Sequence, residues 1–207
     1  MDTNLIFSIV SALIALIALF FTGKQISLSN KHQLFDRRIE KYKIIKDLLS
    51  TYESTRNALL KDKNIELSCD VYLGDLFSVP CMKDLLSVVD EPLDSKNRQK
   101  FFDKCTWLSK TSMEVQIIFQ GKPAEIMSEF CVDYFKLLQI MYFEYAKNVY
   151  ELDRSISEQL GEMSDFQEIH FFPTDETIKG SINRIEKVYK TIIDDNIENK
   201  LVKQIKL

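Results

Sequence analysis

Residues 5–22 read LIFSIVSALIALIALFFT, a run of eighteen residues without a charge or a proline. As an α-helix this run is about 27 Å long, close to the roughly 30 Å thickness of the hydrocarbon core of a bilayer. Its polar side chains are those of Ser8, Ser11 and Thr22, whose hydroxyl groups can bond to carbonyl groups within the helix. The run therefore predicts a membrane-spanning helix, and we expect residues 1–23 to form a transmembrane anchor.

The flanks of the run distinguish an anchor from a cleaved signal peptide. A signal peptide has basic residues before the apolar run and small residues at a cleavage site after it. The chain begins Met-Asp-Thr-Asn, and the run leaves through Phe20, Phe21 and Thr22. An uncleaved anchor is therefore the favoured interpretation.

Basic residues follow the run, and no basic side chain precedes it. By the positive-inside rule, the short N-terminus is expected outside and the rest of the chain in the cytoplasm. The same basic residues are candidates for contacts with anionic lipid headgroups, and a topogenic signal with an ordinary solvated face is the alternative. They are Lys24, Lys31, Arg37 and Arg38.

Small residues recur along one side of the run. Ser11, Ala15, Ala18 and Thr22 are spaced by 4, 3 and 4 positions, which places all four on one helical face. Such a face allows close packing of a second helix, although alanine and serine are also ordinary residues in a span. Because the run has no ionisable residue, one copy offers no path for ions.

Composition indicates the class of the remaining part of the chain. After the anchor about 180 residues remain, enough for one domain with a sizeable core. Charged residues make up 28% and aromatic residues 11%, while glycine and proline together number only nine. This balance predicts an all-α protein: a transmembrane helix followed by a cytoplasmic bundle of about four to five helices. The net charge of -4 argues against nucleic-acid binding.

A long helix is expected directly after the anchor. Apolar residues at spacings of 3 and 4 predict a helix over residues 30–61. Residues 24–62 are therefore assigned to a juxtamembrane stalk, which could continue the span as a signalling or oligomerisation element. Residues 63–207 are assigned to the helical bundle, packing with the stalk.

The bundle is expected to contain four further segments. Residues 63–79 lose the helical period and predict a loop, followed by a short helix over residues 80–89. A clean period predicts a helix over residues 95–120. The next helix, to residue 160, is apolar around most of its circumference and belongs at the centre of the bundle. Its polar residues keep to a narrow strip formed by Glu129, Asp133, Lys136, Lys147 and Glu151.

The end of the chain is expected to form a loop and one more helix. Residues 161–173 predict a loop, and Thr174 is the expected N-cap of the last helix. Residues 200–207 are basic and amphipathic, and a frayed terminus is favoured over a lipid contact.

The residues that usually carry chemistry are sparse. Four cysteines at positions 69, 81, 105 and 131 contain no CxxC pair and are expected to be small core residues rather than zinc ligands or a disulfide framework. The five glycines are isolated, which argues against a phosphate-binding loop. His170 is the one candidate base well away from the membrane, and a solvated or capping role is more typical of it. We therefore predict no catalytic, cofactor-binding or metal-binding residue, no cofactor and no small-molecule substrate.

Two short motifs resemble landmarks of a family. The first is formed by Leu34, Phe35, Asp36, Arg37, Arg38 and Tyr42, and the second by Ile118, Phe119, Gly121 and Glu125. They are similar to the "LFDKR-x-x-x-Y" and "FLFG-x-E" motifs of a widespread group of uncharacterised bacterial proteins with one N-terminal span. The resemblance covers about a third of the chain and implies a single-pass protein of the bacterial inner membrane. It implies no activity.

These features favour a membrane-anchored helical interaction module without enzymatic activity. Its expected partners are membrane lipid and either further copies of the chain or another protein. The alternative is a membrane-perturbing effector of a phage-defence or toxin system, triggered through the cytoplasmic bundle. An enzyme acting at the membrane is a third and weaker interpretation.

Overall fold

The computed structural model describes residues 3–160 and 177–205. Within them the chain forms seven α-helices and no strand, which confirms the all-α prediction. The helices are α1 Thr3–Lys61, α2 Cys69–Leu76, α3 Leu86–Asp90, α4 Ser95–Ile118, α5 Lys122–Leu160, α6 Ile178–Asp194 and α7 Ile197–Val202. Three 3-10 helices lie at Ile65–Leu67, Pro80–Leu85 and Lys203–Ile205. The predicted loop over residues 161–173, with His170, and the predicted cap at Thr174 lie outside the described residues.

Helix α5 is the centre of the bundle, as its nearly continuous apolar surface predicts. It contacts α1, α2, α4, α6 and α7. Its side chains fill the core, with Phe130, Tyr134 and Met141 fully buried. The prediction of a polar strip along α5 is wrong at Asp133. This residue is only 3% exposed and pairs with Arg184 of α6. A carboxylate is buried here because a distant helix supplies its cation.

The segment predicted as a loop over residues 63–79 is mostly helical. It contains the 3-10 helix Ile65–Leu67 and α2, whose Cys69, Tyr72, Leu73 and Leu76 are buried against the bundle. The short helix predicted over residues 80–89 is present as the 3-10 helix Pro80–Leu85 followed by α3. Helix α2 has eight residues, too few for its two buried turns to produce a clear period.

Helix α4 agrees with its prediction to within two residues. Asp94 caps its start, accepting hydrogen bonds from the backbone N–H groups of Lys96 and Asn97. Its end is followed by Gly121, whose φ of +70° lies in the left-handed region that glycine adopts without strain. The chain reverses at this glycine and enters α5.

Residues 197–205 are docked on the bundle, whereas a frayed terminus was predicted over residues 200–207. Leu201 is fully buried, and Gln204 exchanges hydrogen bonds with the backbone of Gln120 at 2.8 and 3.0 Å. Helix α6 starts at Ile178, and the side chain of its N-cap Thr177 accepts a hydrogen bond from the backbone N–H of Gly180. Burial of Ile197 and Leu201 seats α7 on the bundle, a contact that the basic residues near the end of the sequence do not reveal.

Candidate membrane anchor and its junction with the bundle

Helix α1 joins the predicted span to the bundle without a break. From position 11 to position 34 every residue of α1 is exposed, and the first half-buried one is Phe35. Residues 23–34, which we name the neck, follow the span and precede the bundle. Twelve helical residues rise about 18 Å, so the neck holds the bundle away from the end of the span.

The outer part of α1 is long and apolar enough to cross a membrane by its length and composition. Among the described residues it is the one helix with this property. Large apolar side chains such as Leu16, Leu19 and Phe20 are more than 60% exposed. An apolar surface of this size is unfavourable in water, and a bilayer or another apolar surface would cover it.

The small residues predicted as a packing face all lie on this exposed part of the helix. Ser11, Ala15, Ala18 and Thr22 are exposed. The hydroxyl of Thr22 donates to the carbonyl of Ala18 at 2.8 Å, the internal bond expected of a hydroxyl within a span. This bond satisfies the Thr22 hydroxyl within the helix, so the hydroxyl needs no partner outside it.

The four basic residues predicted to contact lipid headgroups separate into two groups. Lys24, Lys31 and Arg37 are exposed, the first two of them on the neck. Arg38 is half-buried and turns into the bundle. Its guanidinium donates hydrogen bonds to backbone carbonyl groups. Contact with lipid headgroups therefore stays a prediction for Lys24, Lys31 and Arg37.

Arg38 lies at the junction between the neck and the bundle. Its Nε donates to the carbonyl of Ile118 at 2.8 Å, and its Nη1 donates to the carbonyl of Gln204 at 2.5 Å. The guanidinium carbon also lies 5.9 Å from the centre of the Phe119 ring. One side chain of α1 therefore ties together the end of α4 and the end of the described chain. Such charged bonds to carbonyl groups are stronger than neutral ones.

Further polar contacts hold α1 along the bundle. Lys41 pairs with Glu114 of α4 at 2.6 Å. Tyr42 donates its hydroxyl to Glu198 of α7 at 2.7 Å, and Lys46 lies 3.5 Å from the same carboxylate. These contacts fix the rotation of α1 relative to the bundle.

A buried charged cluster joins α1 to α6. Glu186 is 6% exposed and accepts hydrogen bonds from Nε and Nη2 of Arg56 and from the hydroxyl of Tyr52. Burial alone would raise the pKa of Glu186, but these donors outweigh it and hold the pKa below its usual range. The Arg56 guanidinium also stacks 4.9 Å from the centre of the Tyr189 ring.

A second charged pair joins α5 to α6. Asp133 accepts a hydrogen bond from Arg184 at 3.1 Å through Oδ1, while its Oδ2 is buried without a hydrogen-bond partner. Burial raises the pKa of Asp133, and the nearby cations of Arg184 and Lys136 offset this only in part. The buried hydroxyl of Ser181, one turn before Arg184, also has no hydrogen-bond partner.

Sequence reasoning missed the residues that connect the elements. Arg38 was read as a lipid contact because its neighbours are basic, and Arg56 interrupts an apolar stripe. The arginines that hydrogen-bond to Glu186 and Asp133 lie 130 and 51 positions away in the chain, so local sequence does not reveal these pairs. An arginine inside an otherwise apolar stripe was the one available signal.

The cysteines behave as predicted at three of four positions. Cys69, Cys105 and Cys131 are buried in the core, and Cys81 is half-buried. Burial raises the pKa of the three core thiols to about 12, so they are neutral at physiological pH. Over residues 3–160 and 177–205, no three His, Cys, Asp or Glu side chains gather in a way that could hold a metal ion.

Comparison of the chain with models of protein families, with curated proteins and with solved structures finds no match.

Proposed function

We propose that this protein is a membrane-anchored helical module without enzymatic activity, which associates with further copies of itself through α1. The observation that carries the proposal is the unbroken, exposed helix that links an apolar span to a folded bundle. In a monomer the bare neck would present a helix with no tertiary packing, and short isolated helices are marginally stable in water. A second α1 beside it would supply that packing.

The side of α1 that faces away from the bundle supports association between copies. At 100° per residue, the face formed by Ser11, Ala15, Ala18 and Thr22 lies roughly 120° around the helix from the side that Leu48 and its neighbours bury in the bundle. Along the neck the same face continues through Ile26, Ser29 and Gln33, without a charge. A second copy can therefore approach this face without meeting its partner's bundle.

The charges of the neck support the orientation of the span. Lys24 and Lys31 project from the opposite side of α1, where they are free of the proposed packing face and can reach lipid headgroups. The basic residues that follow the span support a bundle in the cytoplasm of a bacterium and a span in its inner membrane. The proposed topology is single-pass.

The use of buried ionisable groups supports a non-enzymatic role. Glu186 and Asp133, the two buried carboxylates among the described residues, both pair with arginines across helix interfaces. Their geometry serves packing between α1, α5 and α6, and a perturbed pKa in such a pair is a structural effect. No substrate class is proposed.

The test uses two copies with different affinity tags, expressed together in bacteria and extracted in detergent. Retention of the protein in membranes after alkaline carbonate washing and recovery of both tags on either resin are the expected results. A carbonate-soluble protein would contradict the anchor. A strictly monomeric particle with no stoichiometric partner would contradict the interaction module.

A further inference from the structure

Residues 197–205, which we name the C-terminal segment, run along α1 toward the neck. Near the start of the segment Glu198 accepts a hydrogen bond from the hydroxyl of Tyr42 at 2.7 Å. Near its end the carbonyl of Gln204 accepts a hydrogen bond from Arg38 at 2.5 Å. Because Arg38 precedes Tyr42 by one turn of α1, the segment ends on the side of the bundle from which the neck leaves. In the proposed topology this is the end of the bundle closest to the membrane.

Two lysines of the C-terminal segment extend into solvent at this end. Lys200 and Lys203 are exposed, and within residues 3–160 and 177–205 no ion pair engages either ammonium group. Leu201, between them, is fully buried and holds the segment on the bundle. The charge of Lys122, at the same end, is offset by Asp195 at 3.9 Å. Lys200 and Lys203 therefore present cations that no described carboxylate neutralises.

The neck carries its lysines on the side of α1 that faces the bundle. Lys24, Lys31 and Arg38 are seven residues apart, which places them within about 40° of one another around the helix. Arg38 donates hydrogen bonds into the bundle, so this is the bundle side of α1. The opposite side of the neck has no charged residue. The lysines of the neck therefore face the space between the bundle and the membrane.

This one-sided charge favours a tilt of α1. An anionic bilayer attracts lysines near its surface, and the attraction decays over a Debye length of about 10 Å. Because the cations of the neck and of the C-terminal segment lie on one side of α1, the attraction acts on that side. It lowers the bundle toward the headgroups and brings Lys200 and Lys203 into the range of the attraction.

The dimensions of α1 allow the lysines to reach the headgroups. From Thr22 to Arg38 the helix rises about 24 Å, and the headgroup layer occupies roughly 7 Å of that height. Transmembrane helices tilt by up to about 40°, and at that tilt the height of Arg38 falls to about 18 Å. A neighbouring segment about 10 Å to the lower side is roughly 6 Å lower again. The remaining gap of about 5 Å is within the reach of a lysine side chain.

We propose that the C-terminal segment is a second membrane contact: α1 leans toward its bundle side, and Lys200 and Lys203 bind the headgroups of anionic phospholipids. The proposal rests on the proposed function, because it requires α1 to span a bilayer. It gives the bundle a fixed orientation relative to the membrane plane.

The test measures the distance between the bundle and the bilayer for the full chain in lipid nanodiscs. Gln120 is exposed at the neck-side end, and Gln120→Cys in a Cys81→Ser background is labelled with a donor fluorophore. Energy transfer to acceptors on lipid headgroups is compared between discs of phosphatidylcholine and discs of an equal mixture with phosphatidylglycerol. The charge variant adds Lys200→Gln and Lys203→Gln. Its matched control adds Lys61→Gln and Lys63→Gln, which remove the same charge from exposed positions at the far end of α1.

Leaning predicts that the distance is shorter by roughly 6 Å in the discs with phosphatidylglycerol, the fall in height calculated above. The control variant should keep this shortening, and the charge variant should lose it. Equal distances in the two lipids, or the same shortening in the charge variant, would overturn the membrane contact and leave the proposed function intact. A chain that does not enter the discs would overturn both.

Discussion

Arg38 connects the carbonyl groups of Ile118 and Gln204, and the second of these lies 166 positions away in the chain. The guanidinium lies at the end of the bundle nearest the neck, where α1, the turn after α4 and the last 3-10 helix meet. Arg38 therefore joins these three elements at this point.

Replacing Arg38 with alanine is expected to destabilise the bundle by about 2 kcal/mol, because two carbonyl groups lose charged donors. The measurement is the free energy of unfolding of the detergent-solubilised protein, followed by circular dichroism. Arg37→Ala is the matched control, since Arg37 is the exposed neighbour on the same helix turn. Equal stability of the two variants would show that the junction is not held by Arg38.

Glu186→Gln is expected to lower the free energy of unfolding by about 2 kcal/mol at neutral pH, since Arg56 loses its buried anion. The pKa of Glu186 in the folded state lies below its reference value of 4.5. Its contribution to stability is therefore present above that pH and is lost as the pH falls further. The difference in free energy of unfolding between the variant and the wild type should therefore disappear as the pH is lowered. The control is Asp194→Asn, at an exposed position of the same helix, which should have little effect at any pH.

Asp133→Asn is expected to have the opposite pH dependence. Because burial raises the pKa of Asp133 above 3.8 in the folded protein, ionisation favours the unfolded chain and stability declines as the pH rises through the folded-state pKa. The asparagine variant lacks this decline and should be at least as stable as the wild type at pH 7. The side chain of Arg184 is 39% exposed, so its guanidinium keeps contact with water when the carboxylate is replaced. A loss of more than about 2 kcal/mol in urea titrations would contradict this assignment.

Thiol labelling tests the burial of the core. In the native protein at pH 8 we expect only Cys81 to react with a thiol reagent, because Cys69, Cys105 and Cys131 are buried and their pKa of about 12 leaves little thiolate. All four should react after denaturation. Cys81→Ser should abolish the native reaction, and fast labelling of that variant would argue against the packing around α5.

The main helices could be predicted because their buried residues repeat with the helical period over many turns. Helix α4 is one example, because its apolar stripe extends over many turns. The central position of α5 is another, because the helix is apolar around most of its circumference. Helix α2 was missed because Asp70, Gly74 and Asp75 resemble a loop and its eight residues are too short for a period. Here tertiary burial of Tyr72 and Leu73 outweighs the local preference.

The connections between helices could not be predicted because they depend on distant partners. Asp133 has the sequence context of a solvated residue, and only the approach of α6 explains its burial. The docking of Leu201 and Gln204 likewise depends on the turn after α4. The exposed small residues of the span were identifiable from spacing alone, since no tertiary contact among the described residues covers them.

The central claim is that copies of this protein associate along the side of α1 that carries Ala15. Sedimentation equilibrium in density-matched detergent micelles tests it most directly, comparing the wild type with Ala15→Phe and with Leu13→Phe, which adds a ring on the opposite side of the helix. We predict association of the wild type and of the Leu13 variant, and at least a tenfold weaker association of the Ala15 variant, since bulk at this face separates the helices. A monomeric wild type, or equal association of all three proteins, would contradict the claim.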